Sequence, residues 1–220
     1  MTANASRNRD RSLRRPARAA RTLVALTVAE AVVIGAYFAL ADSEVLSLRY
    51  LAYPVVWTNA AVLAVAYAPI PRPTDRRTYT ALAVAVGYFA VLGVAGGLAS
   101  AGHGSGLGSV TVSGAAPGWG PLVVVSGGVV HLALVPFKLV GYAGLAALAY
   151  AALARASRGV LGGALGLVTC VSCTGSVVAA VFAGVGGSSV VVSTAIARSY
   201  DLSTVVFLLA VGALWVGLNR

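Results

Sequence analysis

The chain is poor in charge, in acid and in thiol. Of 220 residues only 10% are charged, with 16 Lys and Arg, 6 Asp and Glu, 2 Cys and 1 Met. Soluble globular domains carry about 25% charged residues, so this chain cannot coat a water-facing surface. That excludes an ordinary cytoplasmic enzyme. A hydrophobic share of 59% excludes a disordered tail. Two cysteines cannot frame a small secreted domain, nor supply the four ligands of a structural zinc site. No nucleophile–base pair and no paired aqueous carboxylates stand out, so the reading leans away from an enzyme. No internal repeat is visible, which gives an inverted-repeat transporter design no support.

What the chain has is long apolar runs. Six of them, at 22–41, 51–70, 79–99, 134–154, 160–185 and 202–218, suit helices crossing a hydrocarbon layer of ~30 Å. The predicted fold is an all-α integral membrane protein with six transmembrane helices. Residues 1–21 form a basic arm, expected to be disordered, and 22–220 form one transmembrane domain. Ala39-Leu40-Ala41 resembles a signal-peptidase site, but an apolar run of this length is expected to stay as a helix.

The stretch 121–154 is too long for one simple crossing. Val123-Val124-Val125, Gly127-Gly128 and Val129-Val130 disfavour a regular helix before residue 134. An irregular outer segment at about 100–133 is therefore expected between helices 3 and 4. It would be re-entrant or made of short strands, covered by protein or water.

The net charge of +10 is confined to a few places. Arg7, Arg9, Arg11, Arg14, Arg15, Arg18 and Arg21 precede the first apolar run, and Arg72, Arg76 and Arg77 share one loop. With six spans, these, Arg155, Arg158 and Arg220 fall on one side, against Arg49 and Arg198 on the other. Basic flanks stay on the cytoplasmic side, so both termini are expected there, in the cell membrane. The arm is expected to touch lipid headgroups, and other membrane subunits are conceivable partners. It lacks the aromatics and modules of a nucleic-acid binder, and none is expected as a partner.

Cys170 and Cys173 stand in Thr169-Cys170-Val171-Ser172-Cys173-Thr174. At i and i+3 on a helix both sulfurs share a face. Such a pair can hold a soft ion such as Cu(I) or exchange a disulfide. It can equally be packing, because Gly162, Gly166, Cys170 and Thr174 make a small-residue stripe. His131 is an outer ligand candidate, whereas His103 lies among glycines that leave it without a preformed site.

Glu30 sits inside the first span, where an acid is costly and marks a candidate site. At 1.5 Å per residue it lies roughly 12 Å deep, with Asn59, Tyr88 and Tyr142 at roughly 16, 13 and 18 Å. A polar layer near the midplane follows, explained by a proton or ion site or by interhelical hydrogen bonds alone. Lys138, close to the outer surface, is expected to snorkel outward rather than to pair with Glu30.

The run Leu134-Val135-Pro136-Phe137-Lys138-Leu139-Val140-Gly141-Tyr142, followed by Cys170-Val171-Ser172-Cys173-Thr174 and by Asp201-Leu202-Ser203-Thr204, resembles an uncharacterised family of multi-span membrane proteins from haloarchaea. The likeness covers about 120–218, and the earlier spans by hydropathy only. It implies a respiratory setting, hence a thiol-dependent metal-handling or assembly factor for a membrane respiratory complex. A permease subunit using an intramembrane carboxylate, and a scaffold without a ligand, are the alternatives.

Overall fold

A computed structural model describes residues 2–40, 48–101, 108–113, 120–127, 130–155 and 189–219, with side chains at 18–39 in the first helix and from 200, except 202, in the last. The elements run α1 (Thr2–Leu40), α2 (Leu48–Tyr67), α3 (Arg76–Ala95), β1 (Ala99–Ala101), β2 (Ser109–Ser113), β3 (Leu122–Ser126), β4 (Val130–Leu134), α4 (Pro136–Arg155) and α5 (Ser189–Asn219). Among the described residues four helices are long and apolar enough to cross a membrane: Arg18–Ala39 of α1, α2, α3 and α4. In α5 the apolar stretch is the shorter Ser203–Asn219. The expected span at 160–185, with both cysteines, lies outside the described residues. So does His103.

Local chemistry sets the helix ends. α2 stops at Tyr67, three residues before the expected end, because Pro69 already breaks the ladder ahead of Pro71 and Pro73. α3 opens with a capping box, in which Asp75 accepts from the Thr78 N–H at 3.4 Å and the Thr78 hydroxyl accepts from the Asp75 N–H at 3.1 Å. It closes with the Leu98 N–H on the Gly93 carbonyl at 2.7 Å and the Gly97 N–H on Val94 at 3.1 Å. Gly97 takes φ +75°, the left-handed conformation this cap needs. Pro136 starts α4, where its missing N–H costs nothing. α1 runs back to Thr2, so the backbone of the basic arm is helical where composition predicts disorder. Apart from Pro16, residues 14–21 are all Arg and Ala, strong helix formers.

The all-α expectation is corrected by the outer segment. It contains a four-stranded antiparallel sheet of order β1-β4-β3-β2. The valine runs that disfavour helix are the β-branched residues a pleated surface accommodates. Val110, Val112, Val123, Val125, Leu132 and Leu134 fall on one face by this register.

α4 is the central helix, with Leu148 and Ala151 fully buried. Its glycines let α2 and α5 close on it. A Cβ at Gly141 would sit 2.5 Å from the Trp57 ring, and one at Gly144 would sit 2.7 Å from the Ala61 Cβ. Trp57 stacks on Phe207 at 4.0 Å, lies edge-on to Phe137 and Tyr142 at 5.7 Å, and donates to Thr204 Oγ1 at 3.0 Å. Without a hydrophobic drive between helices in lipid, close contact over small residues of this kind provides the packing.

Candidate functional site

Antiparallel packing of α1 on α2 brings Thr22 Oγ1 to 2.9 Å from the Tyr67 hydroxyl. Eight residues further along α1, and eight back along α2, the same register joins Glu30 to Asn59. Asn59 Nδ2 donates to Glu30 Oε2 at 2.5 Å and to the Val55 carbonyl at 2.9 Å. Asn59 is 6% exposed, and its Oδ1 meets no donor among the described residues. Both amide hydrogens are committed to acceptors, while the amide oxygen has no donor among the described residues. An unpaired buried acceptor costs about 1–3 kcal/mol, so the pair is not a closed hydrogen-bond arrangement.

The rest of the expected polar layer divides. Tyr142 belongs to the aromatic core, against Trp57 and with its ring over Gly96. Tyr88 lies half-buried in α3 against the same core. His131 faces Ser126 across the β3–β4 hairpin, with Nδ1 3.1 Å from the Ser126 hydroxyl. Among the described residues no three His, Cys, Asp or Glu side chains gather. Cys170 and Cys173 lie outside them, as does any contact from either to His131.

A second polar cluster joins the start of α2 to α5 at Asp201, just before its apolar stretch Ser203–Asn219. Arg49 Nε donates to the Tyr53 hydroxyl at 2.7 Å and to Asp201 Oδ1 at 3.0 Å, and its Nη2 pairs with Asp201 Oδ2. The buried Tyr53 hydroxyl also donates to Asp201, and its ring stacks on Tyr200 at 5.9 Å. Sequence reasoning did not find this pairing. The span count does place Arg49 and the start of the last span at one end, and that was the available signal.

Lys138, near the start of α4, belongs to this end too. It is half-buried, donating to the Gly96 carbonyl at 3.0 Å and lying 5.4 Å from the Tyr200 ring centroid. The carbonyl end of α3 attracts a cation, and an aromatic face adds to that.

The chain's sequence matches a family model over residues 1–219. It belongs to DUF7546, a family of unknown function. No curated protein and no solved structure matches it. The family therefore adds no residue roles, and for this DUF7546 chain the site must be argued from its own contacts.

At the opposite end, the Tyr150 hydroxyl donates to the Pro71 carbonyl at 2.9 Å and Arg155 to the Leu218 carbonyl at 3.2 Å. Arg72, Arg76 and Arg77 share this end with Arg155. Between α1, α2 and α5 lies a groove of about 700 Å³, lined by Ala19, Ala60, Leu63, Tyr67, Leu208 and Trp215 among others. That lining carries no carboxylate, thiol or imidazole, so it is an apolar surface and not a reaction centre. Among the described residues of this DUF7546 chain, Glu30 with Asn59 is the arrangement that leaves a buried polar atom unpaired.

Proposed function

We propose that the chain is a membrane permease or transporter subunit in which Glu30 takes up and releases a proton or a hard monovalent cation. The observation that carries this is the Asn59 Oδ1 beside the Glu30 carboxylate, which meets no donor among the described residues. With Glu30 ionised, the Asn59 amide donates to it, as in the structure. With Glu30 protonated, its O–H becomes a donor, and a turn of the amide offers Oδ1 as acceptor. The two protonation states thus have different hydrogen-bond partners. A cation held between Glu30 and Oδ1 would use the same two oxygens. Oxygen donors of this kind do not suit Cu(I), and the thiol-dependent reading rests on Cys170 and Cys173 by sequence alone.

The topology of this reading is six crossings in the cell membrane, both termini cytoplasmic, with the arginine-rich end inward. In its support, α2, α4 and α5 run parallel, Arg155 leaves the bundle at the Leu218 end, and Asp201 lies at the Arg49 end. Lipid headgroups at the inward arginines, and further membrane subunits, are the partners this arrangement accommodates.

The test is carbodiimide labelling of the full chain in lipid vesicles. Carbodiimides attack protonated carboxyl groups in apolar surroundings. The expected result is one modified site at Glu30, absent in Glu30→Gln, with an extent that depends on pH and changes in Asn59→Leu. Failure of Glu30 to label at any pH, or a pH profile untouched by Asn59→Leu, overturns the reading.

A further inference from the structure

We propose that β2 is a dimerisation edge, at which two copies of the chain pair Ser109–Ser113 antiparallel about Thr111 and extend the four-stranded sheet to eight strands. β2 is the outermost strand of the order β1-β4-β3-β2, and all five of its residues are exposed. Its inner edge pairs with β3, with Thr111 opposite Val124. Its outer edge presents backbone N–H and C=O groups with no strand beside them among the described residues. Proteins usually blunt such an edge with lysine, proline, a bulge or a charge. None occurs in β2, and residues 78–137 contain no Asp, Glu, Lys or Arg at all.

The occupant is indicated by the strand itself. Ser-Val-Thr-Val-Ser reads the same in both directions. A two-fold contact matches a surface with itself, and a palindromic strand paired antiparallel does so residue for residue. Thr111 then faces Thr111, Val110 of one copy faces Val112 of the other, and Ser109 faces Ser113. The register is specified by the faces. Val110 and Val112 continue the apolar face of Val123, Val125, Leu132 and Leu134, yet each is 66% exposed at the edge. The register centred on Thr111 carries that face unbroken across both copies, whereas a slip of one residue would set valine beside serine or threonine and a slip of two would set one valine of each copy opposite a glycine. No formal charge opposes the approach.

One five-residue strand pair is small beside the roughly 1,200–2,000 Å² of a stable interface in solution. The contact therefore serves chains already confined to one bilayer.

Cysteine cross-linking of the full chain in lipid vesicles tests this, with the unsubstituted chain, carrying Cys170 and Cys173, setting the background. Directly opposed strand residues have Cα atoms about 4.5–5.5 Å apart, within disulfide reach. Thr111→Cys is expected to form a disulfide dimer under mild oxidant. Ser109→Cys alone is not, its two copies being about 14 Å apart along the strand at 3.4 Å per residue. Differently tagged Ser109→Cys and Ser113→Cys chains, mixed before reconstitution, are expected to cross-link to each other. Adding Val112→Lys to Thr111→Cys is expected to abolish the dimer while maleimide still labels the thiol. A Thr111→Cys chain that stays monomeric overturns the proposal, and so does equal cross-linking at Ser109 and Thr111, the mark of random collision.

Discussion

Asn59 hands one amide hydrogen to Glu30 across the α1–α2 interface and the other to its own helix at Val55, leaving its oxygen buried without a donor among the described residues. A group placed only to tie two helices together would be expected to use that oxygen as well. An interhelical hydrogen bond in a membrane is worth ~0.6 kcal/mol on average. The cost of a charged side chain within a span, about 2.5–3.5 kcal/mol on insertion scales, is several times larger.

Asn59→Ala is therefore expected to lower thermal stability in detergent by about 1 kcal/mol or less. Its effect on ion-coupled transport or carbodiimide labelling should be much larger. A stability loss of several kcal/mol with unchanged labelling would mark Asn59 as a structural residue.

The glycines of α4 divide from those of α3 by contact. Gly141→Ala and Gly144→Ala force a Cβ into Trp57 and Ala61, and overpacking of this kind costs about 1–3 kcal/mol. Gly87→Ala meets nothing within 4 Å and should be neutral or stabilising by up to about 1 kcal/mol through helix propensity. Thermal unfolding of the three variants in one detergent checks the contrast.

Asp75 gives the molecule an acid-sensitive point. The Thr78 hydroxyl, followed by backbone N–H groups of the first turn, holds its carboxyl below the ordinary aspartate value of 3.8. A carboxyl lowered in the folded state stabilises above the unfolded value, and the contribution fades as pH falls through 3.8 toward the lowered one. Protection of the α3 N-terminus should weaken on acidification below pH 3.8. Asn caps as well as Asp does, so Asp75→Asn should keep the helix start at neutral pH and remove this dependence. Hydrogen exchange at 76–79 against pH reads both effects.

Arg49 and Asp201 link α2 to α5 with side chains 45% exposed. An ion pair that open contributes ~1 kcal/mol or less, so Arg49→Gln should move the melting temperature little. Asp201→Ala should do more, because the buried Tyr53 hydroxyl loses an acceptor. Faster hydrogen exchange around Asp201 in α5, greater for Asp201→Ala than for Arg49→Gln, is the expected pattern.

Much of this protein was legible in the sequence because lipid imposes a one-dimensional rule. A span needs about 20 apolar residues, and proline, glycine and arginine punctuate such runs. The ends of α2, α3 and α4 fall within a few residues of expectation on that basis. The Glu30–Asn59 contact was legible as two matched depths on neighbouring antiparallel helices, since depth follows from counting residues.

The outer segment was only half legible. Valine and glycine runs argue against helix, but strand order and register depend on which distant strands meet, and single segments do not encode that. The Arg49–Asp201 pair and the turning of Tyr142 into the core were decided by tertiary structure. Depth fixes how far along a helix a side chain lies and not which way it faces, and facing is set by which neighbours can approach. Here Gly141 and Gly144 let Trp57 and Ala61 come close, and that choice settled the core.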